Sequence, residues 1–400
     1  MQLSNQSSMT RIYLDNAATT AVRPEALDAM LPFLSQSYAN PSSPHSSGQA
    51  VRRAIDEARE KTAAALGARP TEVVFTGGGS EADNLAIFGI MDARAERGRG
   101  FITCAIEHHA VLHAADALRR RGDDVTVLPV DAEGKVDPQT LRDALDDKTV
   151  LVSIMHANNE VGTIQDVREL ASIAHERGAL FHTDAIQTAG HLRIDVADLG
   201  VDALSLPAHK FEGPKGVGAL YVRRGTRVRP RVVGGGQEFG KRAGTENVAG
   251  IVALAAALEL AAREIDEQSP RIAALRDRFV DAICGKIDET ALNGSRSTRL
   301  PNNASIRFDG SDASGVMIAL DLAGIEVSTG SACTSGSLEP SHVLTAIGLP
   351  AEKARGTVRF SLGRTTTDAE IDAVIGALPA IVEKMRGVAA STFAQPLTTR

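Results

Sequence analysis

Residues 205–222 read SLPAHKFEGPKGVGALYV, with an apolar run on each side of a turn rich in glycine and proline. Lys210 lies just after the first apolar run, a pattern that predicts an amine at the end of a β-strand, at the mouth of a sheet. An amine that is partly desolvated there becomes a nucleophile toward a carbonyl group. A surface lysine is the alternative, and the rest of the chain has to distinguish the two.

The composition is typical of a globular protein. The 400 residues carry a net charge of −7, and 43% of them are hydrophobic and 23% charged. This length predicts roughly two to three domains, of which one is large and one smaller. No window has the apolar length of a membrane span, and residues 1–10 lack the pattern of a signal peptide. We therefore expect a cytoplasmic protein that contacts neither a membrane nor nucleic acid directly.

The three cysteines are far apart and lack the paired spacing of zinc or iron–sulfur ligands, so no metal site is expected. Cys104 lies in a predicted strand and Cys284 in a partly apolar helical stretch, which favours packing roles for both. Cys333 lies in a loop of small residues, VSTGSACTSGSLEP over 327–340, whose composition predicts exposure and mobility. Since an exposed thiolate can act as a nucleophile, Cys333 is the candidate reactive thiol.

Short β-rich runs alternate with helical patterns from about residue 70, which predicts an α/β fold with a mainly parallel sheet. Continuous apolar runs indicate strands that are buried on both faces. The composition changes near Gly250, where an Ala/Leu-rich helix over 251–265 begins, and we place a domain boundary near residue 262. The seven predicted strands cover 73–75, 101–104, 125–128, 150–155, 180–182, 203–205 and 219–222.

Residues 76–84 read TGGGSEADN and follow a predicted strand. Glycines let backbone N–H groups approach an anion, Ser80 adds a hydroxyl, and a helix N-terminus adds a favourable dipole, so Gly79 and Ser80 are predicted to hold a phosphate. The spacing matches neither nucleotide-binding glycine motif, which leaves a single small phosphate as the best ligand. The alternative is a structural glycine turn with Ser80 as the helix cap.

Residues 181–187 read FHTDAIQ and place Asp184 and Gln187 just after a strand, where open α/β sheets bind ligands. A pyridinium nitrogen needs a carboxylate partner to stay protonated. Asp184 fits that role, and Gln187 can donate to a phenolate oxygen of the same ligand, although Asp184 taken alone is more typical of an ordinary helix cap. Together with Lys210 and the phosphate loop, these residues predict pyridoxal 5'-phosphate as the cofactor.

Three further polar residues are candidates. His108 follows a strand and can stack on a flat cofactor and transfer protons, whereas His109 is interpreted as a helix-face residue. Asn159, after the strand near Met155, is available to a substrate or cofactor oxygen. Arg359 lies in an apolar run and can make the two-pronged contact that an α-carboxylate favours.

The chain resembles the cysteine desulfurases of the NifS/IscS type, within the class V aminotransferase group of fold type I pyridoxal-phosphate enzymes. The resemblance covers nearly the whole chain. It is carried by YLDNAATT over 13–20, Asn40-Pro41, the phosphate loop, the lysine motif, RAGT over 242–245, the cysteine loop and the arginine motif.

The resemblance implies an L-cysteine substrate, a persulfide on Cys333 and transfer of its sulfur to an acceptor or iron–sulfur scaffold protein. It implies an N-terminal segment over 1–17 that packs with the small domain, a large cofactor-binding domain over 18–262, and a small α/β domain over 263–400 that carries the cysteine loop. It also implies an internal Schiff base for Lys210 and acid/base chemistry for His108. The phosphate would be contacted by Gly79, Ser80, His209 and Thr245, the last from the second subunit of a homodimer. The substrate carboxylate would be contacted by Asn40, Asn159 and Arg359.

One position departs from this family. Pro207 stands where the family usually has a serine whose hydroxyl holds the phosphate, and proline has neither that hydroxyl nor a backbone N–H. Two other classes are weighed against the desulfurase. A related aminotransferase or lyase would share the cofactor residues but would not need Cys333, and a non-enzymatic scaffold would not need the lysine, acid and histidine together.

Overall fold

The computed structural model describes residues 11–330 and 340–393, with side chains through residue 388. Its strands are β1 Ile12–Tyr13, β2 Val73–Thr76, β3 Gly100–Cys104, β4 Asp124–Leu128, β5 Thr149–Ser153, β6 Leu180–Asp184, β7 Ala203–Pro207, β8 Gly218–Val222, β9 Thr290–Leu292, β10 Asn303–Phe308, β11 Ile325–Glu326 and β12 Thr357–Ser361. Its α-helices are α1 Pro24–Met30, α2 Pro32–Ser35, α3 Ser46–Ala65, α4 Gly79–Ala93, α5 His109–Arg120, α6 Pro138–Ala144, α7 Val167–Glu176, α8 Val196–Leu199, α9 Val248–Lys286, α10 Ala313–Leu322, α11 His342–Ala346, α12 Ala351–Ala354 and α13 Asp368–Phe393.

A seven-stranded sheet with the order β2-β8-β7-β6-β5-β3-β4 forms the centre of the molecule. Only β8 runs antiparallel to its neighbours, and the other pairs are parallel. Most of these strands are buried along their whole length, which explains why their sequences are continuously apolar. The predicted α/β class, the mainly parallel sheet and its seven strands are confirmed.

Helices cover both faces of this sheet. On one face α4 and α5 pack through Leu85, Ile87 and Leu118. On the other face α3, α7 and the first half of α9 pack through side chains such as Ile55 and Leu254. Parallel strands joined by helices therefore end along one edge, where β6 and β7 terminate at Asp184 and Pro207.

A second core belongs to the smaller α/β unit. It contains the antiparallel sheet β12-β10-β9, together with α10, α13 and the second half of α9. Phe279 and Phe360 meet there edge to face, with ring centroids 4.9 Å apart. The N-terminal strand joins this unit because β1 pairs in parallel with β11 and Leu14 is buried in the same core.

The helix predicted over 251–265 is longer in the structure, since α9 runs from Val248 to Lys286. Its first half packs on the large core through residues such as Ile251, and its second half packs on the small core from Ile272 onward. The boundary near residue 262 falls inside this helix, and the three domain ranges remain predictions. Across the described ranges, no helix combines the length and apolarity that a membrane span requires.

Candidate active site

Lys210 lies in the turn that joins β7 to β8. The turn is closed by backbone hydrogen bonds from Ala208 N to Val217 O and from Gly213 N to Ala208 O, at 3.1 and 3.0 Å. The Lys210 Nζ donates to the carbonyl oxygens of Ala17 and Ala18, both at 2.6 Å. The amine is thus fixed beside the carboxyl edge of the sheet, as the sequence predicted.

The glycine-rich turn precedes α4 and requires glycine at two positions for different reasons. Gly78 has a φ of 149°, a conformation that side chains disfavour. A Cβ on Gly79 would lie 2.4 Å from Cδ1 of Ile186, so any larger residue there would displace the Ile186 side chain. Gly78 occupies the N-cap position and no side chain caps the helix, so the interpretation of Ser80 as the cap is wrong. The uncapped N–H groups of this first turn are suited to a phosphate.

Asp184 ends β6 and is almost completely buried. Its Oδ1 accepts the Ile186 N–H at 2.8 Å. Burial raises the pKa of this carboxyl to about 6, while the Ile186 hydrogen bond and the charge of Lys210 lower it. A protonated ring nitrogen would supply the positive partner that favours the carboxylate.

His108 is the N-cap residue of α5, and its Nδ1 accepts the Ala110 N–H at 3.1 Å. The neutral ring therefore carries its proton on Nε2. Burial, together with the positive charges of Lys210 and neighbouring histidines, lowers the pKa of His108 to about 4. His108 is consequently a neutral imidazole at pH 7 that can donate a hydrogen bond from Nε2.

Arg359 projects from β12 and is almost completely buried. Its Nη2 donates to Asp15 Oδ1 and its Nη1 to Asn159 O, both at 2.9 Å. A longer contact of 3.4 Å joins Nη1 to Gly330 O. The Nε–H is buried and has no hydrogen-bond partner among the described residues, so the guanidinium keeps unused capacity for an anion.

These elements surround one pocket of about 290 Å³. The predicted site residues on its wall are Gly79, Ser80, His108, Asn159, Asp184, Gln187, His209, Lys210 and Arg359, and Pro207 lies on the wall with them. An uncapped helix start, a buried carboxylate and a lysine amine at one pocket fit pyridoxal phosphate, which needs a phosphate site, a ring-nitrogen partner and a covalent anchor.

Two predicted residues are not on this pocket wall. Asn40 and Thr245 are exposed, and Asn40 Oδ1 accepts the Ser42 N–H at 2.8 Å. Cys333 lies outside the described residues. The residues that flank its segment do reach the site, because Gly330 lines the pocket and Ser341 hydrogen-bonds to the Glu160 carboxylate.

Sequence reasoning missed several pocket residues. His109, interpreted as a helix-face residue, lines the pocket, and its ring centroid lies 4.7 Å from that of His342. Glu160 and His342 line it as well, and Ala17 and Ala18 contribute their main chain. A backbone carbonyl carries no sequence signal. The HH pair after a strand was a signal for His109, which does lie on α5 as expected but also faces the pocket.

Cys104 and Cys284 lie in β3 and α9, where they were expected. Cys104 is fully buried, and burial together with the Glu107 carboxyl raises the pKa of its thiol well above the ordinary value. Burial also raises the pKa of Cys284, although the charge of Arg296 opposes this. Both thiols are therefore poor sources of thiolate at pH 7.

Glu107 provides a prediction on stability. Burial and the charge of Asp184 raise the pKa of Glu107 to about 8. Between about pH 4.3 and 8 the unfolded chain therefore releases a proton that the folded protein keeps, so stability falls as pH rises through this window. Glu107→Gln resembles the protonated acid, and its Oε1 can still accept the Met155 N–H. We expect its Tm to exceed that of the wild type by at least about 2 °C at pH 8, with a smaller difference at pH 5.5.

Calorimetry at the two pH values measures this difference. A residual slope is expected in the variant because Asp184 also titrates with a raised pKa. A Tm difference between variant and wild type that is the same at both pH values would contradict the assignment of a neutral Glu107.

Pro207 provides a prediction on cofactor binding. It ends β7 on the pocket wall, 3.7 Å from the place a Cβ on Gly79 would occupy. A serine hydroxyl there would lie beside the phosphate turn, and a hydrogen bond to a charged oxygen contributes about 1.5 to 3 kcal/mol, or roughly ten- to a hundredfold in affinity. We expect Pro207→Ser to tighten non-covalent binding of pyridoxal phosphate in a Lys210→Ala background.

Equilibrium dialysis of the two variants measures this change. Equal or weaker binding would mean that the remaining groups already hold the phosphate fully and that the proline acts on the backbone conformation.

Comparison with known proteins agrees with this geometry. The family described as Aminotransferase class-V matches residues 12–374. The chain is 52% identical to a protein of Dictyoglomus turgidum named cysteine desulfurase IscS, over 94% of this chain and 96% of that protein. It is 50% identical to a protein of the same name from Methanosarcina thermophila, over 95% and 94% of the two chains. A solved structure described as a NifS-like protein superposes with a TM-score of 0.87 at 37% identity and covers 96% of this chain and 100% of that one. The chain therefore belongs to the class V aminotransferase family.

Proposed function

We propose that this chain is a pyridoxal-phosphate-dependent cysteine desulfurase, which converts L-cysteine to L-alanine and holds the sulfur as a persulfide on Cys333. The observation that carries the proposal is that Lys210, Asp184, His108 and Arg359 converge on one pocket, at whose wall the segment leading to Cys333 begins. The relatives named cysteine desulfurase, similar over nearly the whole chain, support it.

Pyridoxal phosphate, when bound, withdraws electrons from the Cα of an amino acid and so labilises its proton. Asp184 would keep the ring nitrogen protonated, since burial makes a positive partner favourable for its carboxylate. The α4 N-terminus with Ser80, helped by His209, would hold the phosphate. Gln187 donates to Ala17 O at 3.0 Å and has a second amide hydrogen for the phenolate oxygen.

Lys210 would hold the cofactor covalently and, once displaced by the substrate amine, would take the Cα proton. The carbonyls of Ala17 and Ala18 keep its Nζ at the pocket edge, so the free amine would remain in the pocket. His108 would contact the ring and donate from Nε2. Arg359 and Asn159, with Asn40, would orient the substrate carboxylate.

Cys333 would supply the sulfur acceptor. Its thiolate attacks the substrate sulfur, so that an S–S bond forms, the C–S bond breaks and the electron pair stays with the carbon, which takes up a proton. The balance is L-cysteine plus enzyme thiol giving L-alanine plus enzyme persulfide, with no external oxidant. Cys333 is three positions after Gly330 in the sequence, a contour length of about 10 Å, which is compatible with reach into the pocket.

The partners are proposed with the function. A homodimer would bring Thr245 to the phosphate of the neighbouring subunit, which agrees with the exposure of Thr245 away from its own pocket. Val233 and Phe239 on the same segment are 80% and 54% exposed, as expected for an apolar surface that a second subunit covers. An acceptor or iron–sulfur scaffold protein and a cytoplasmic location complete the proposal.

Purified protein incubated with pyridoxal phosphate, L-cysteine and a thiol reductant tests the function. Alanine and sulfide should form in equal amounts. Other L-amino acids, tested in parallel, distinguish the desulfurase from a related aminotransferase or lyase, because such an enzyme would turn over another amino acid and leave L-cysteine intact.

A further inference from the structure

Asp15 contacts the guanidinium that is proposed to bind the substrate carboxylate. Its Oδ1 lies 2.9 Å from Arg359 Nη2, and the two side chains are 21% and 2% exposed. Arg359 is thus buried and Asp15 partly buried, unlike the solvent-exposed pairs that contribute little. Among the described residues, Asp15 is the acidic side chain that forms an ion pair with Arg359.

The backbone around Asp15 is fixed to the same strand as Arg359. Residue 15 bridges Ser361 in parallel, and the Ser361 N–H donates to Leu14 O at 2.7 Å. The Tyr13 hydroxyl donates to Asp15 O at 3.1 Å. The backbone of Asp15 is therefore fixed beside Ser361, which lies two positions after Arg359 in β12. This holds the Asp15 carboxylate against the guanidinium.

The remaining contacts of the guanidinium show what Asp15 adds. Nη1 is held by the carbonyls of Asn159 and Gly330, which are neutral acceptors. Nη2 is held by Asp15, and Nε has no partner among the described residues. Asp15 thus supplies the charged contact that sets the rotation of the guanidinium plane, while the Nε–H and the second Nη2–H are not used by these contacts.

On this geometry we propose that Asp15 is a positioning residue that orients Arg359 toward the α-carboxylate of the substrate. The inference rests on the proposed function, because it assigns Arg359 to the substrate carboxylate. Asp15 itself does not contact the reacting atoms. Its loss should therefore affect ligands that carry an α-carboxylate and spare ligands that lack it.

The test compares two ligands of the cofactor-loaded protein by the change in visible absorption on titration. L-Alanine has the α-carboxylate, and cysteamine has the amine and thiol of cysteine without it. For Asp15→Ala we expect the Kd of L-alanine to rise about tenfold, the loss of one charged hydrogen bond (about 1.4 kcal/mol), with the Kd of cysteamine unchanged. Asp15→Asn keeps an acceptor for Nη2 and should recover part of the affinity. With L-cysteine, Asp15→Ala should raise KM more than it lowers kcat.

Glu326→Gln is the matched control. Glu326 lies on β11 and pairs with Arg11 at 2.6 Å, with both side chains more exposed than Arg359. This change should alter neither Kd.

Two outcomes overturn the proposal. An unchanged or lower Kd for L-alanine in Asp15→Ala would mean that Arg359 needs no orientation by Asp15. An equal rise for cysteamine would mean that Asp15 only maintains the site as a whole. Arg359→Lys separates these results from a failure of the proposed function, since it should itself weaken L-alanine and spare cysteamine; if it does not, the assignment of Arg359 is wrong.

Discussion

Cys333→Ser is expected to reduce alanine and sulfide formation from L-cysteine by at least about a thousandfold, because it removes the proposed sulfur nucleophile. Binding of pyridoxal phosphate should be unaffected, since the cofactor contacts come from other residues. L-Cysteine should still change the visible absorption of the variant. Amino-acid analysis, a sulfide assay and mass measurement of the alkylated persulfide give the three readouts.

Cys284→Ser and Cys104→Ser are the controls for this experiment. Both thiols have raised pKa values and lie in a helix and a strand away from the pocket wall, so both variants should retain ordinary turnover. Ordinary desulfurase turnover in Cys333→Ser would place the nucleophile elsewhere in the chain.

Lys210→Ala is expected to abolish turnover by a similar factor and to leave the cofactor bound only non-covalently. The variant loses both the covalent anchor and the amine that the Ala17 and Ala18 carbonyls hold at the pocket edge. Purified wild type should be yellow, and this absorption should be lost or shifted in the variant. Borohydride reduction followed by peptide mapping should label Lys210.

Lys215→Ala is the matched control, because Lys215 lies in the same motif but is exposed and does not line the pocket. It should keep both the colour and the turnover. A borohydride label on any lysine other than Lys210 would contradict the assignment.

The strands of the large sheet were predictable because they are buried on both faces, which requires continuous apolar sequence. The run over 150–155 was correctly predicted as a strand, but its end was misplaced, since β5 ends at Ser153 and not at Met155. Apolar residues beyond a strand end still pack in the core, and hydrophobicity alone does not show where pairing stops. The length of α9 was underestimated for a different reason, because its second half leaves the large core and packs on the small one.

Residues whose side chains carry distinctive chemistry at strand ends were also predictable, as Lys210, Asp184 and His108 show. Parallel strands end at one edge, so polar residues directly after several strands meet there. The contributions of Glu160, His342 and the main chain of Ala17 and Ala18 were not predictable. They come from a loop, from the start of α11 and from the N-terminal segment, whose positions depend on contacts with residues far away in the sequence.

The sequence by itself determined the α/β class, the order of the strands along the chain and the residue types that predict a cofactor amine, a phosphate turn and a ring-nitrogen partner. These are local properties, set by apolar runs, glycine conformation and the chemistry of single side chains. Only the tertiary structure decided which residues share the pocket and in what protonation state. His108 became a neutral N-cap, Glu107 a buried acid with a raised pKa, and Asp15 a partner of Arg359 across 344 positions of sequence. The physical reason is that burial and charge pairing depend on distances in space, which no local sequence pattern contains. For Asp15 and Arg359, that distance is set by the packing of the N-terminal segment on the small unit.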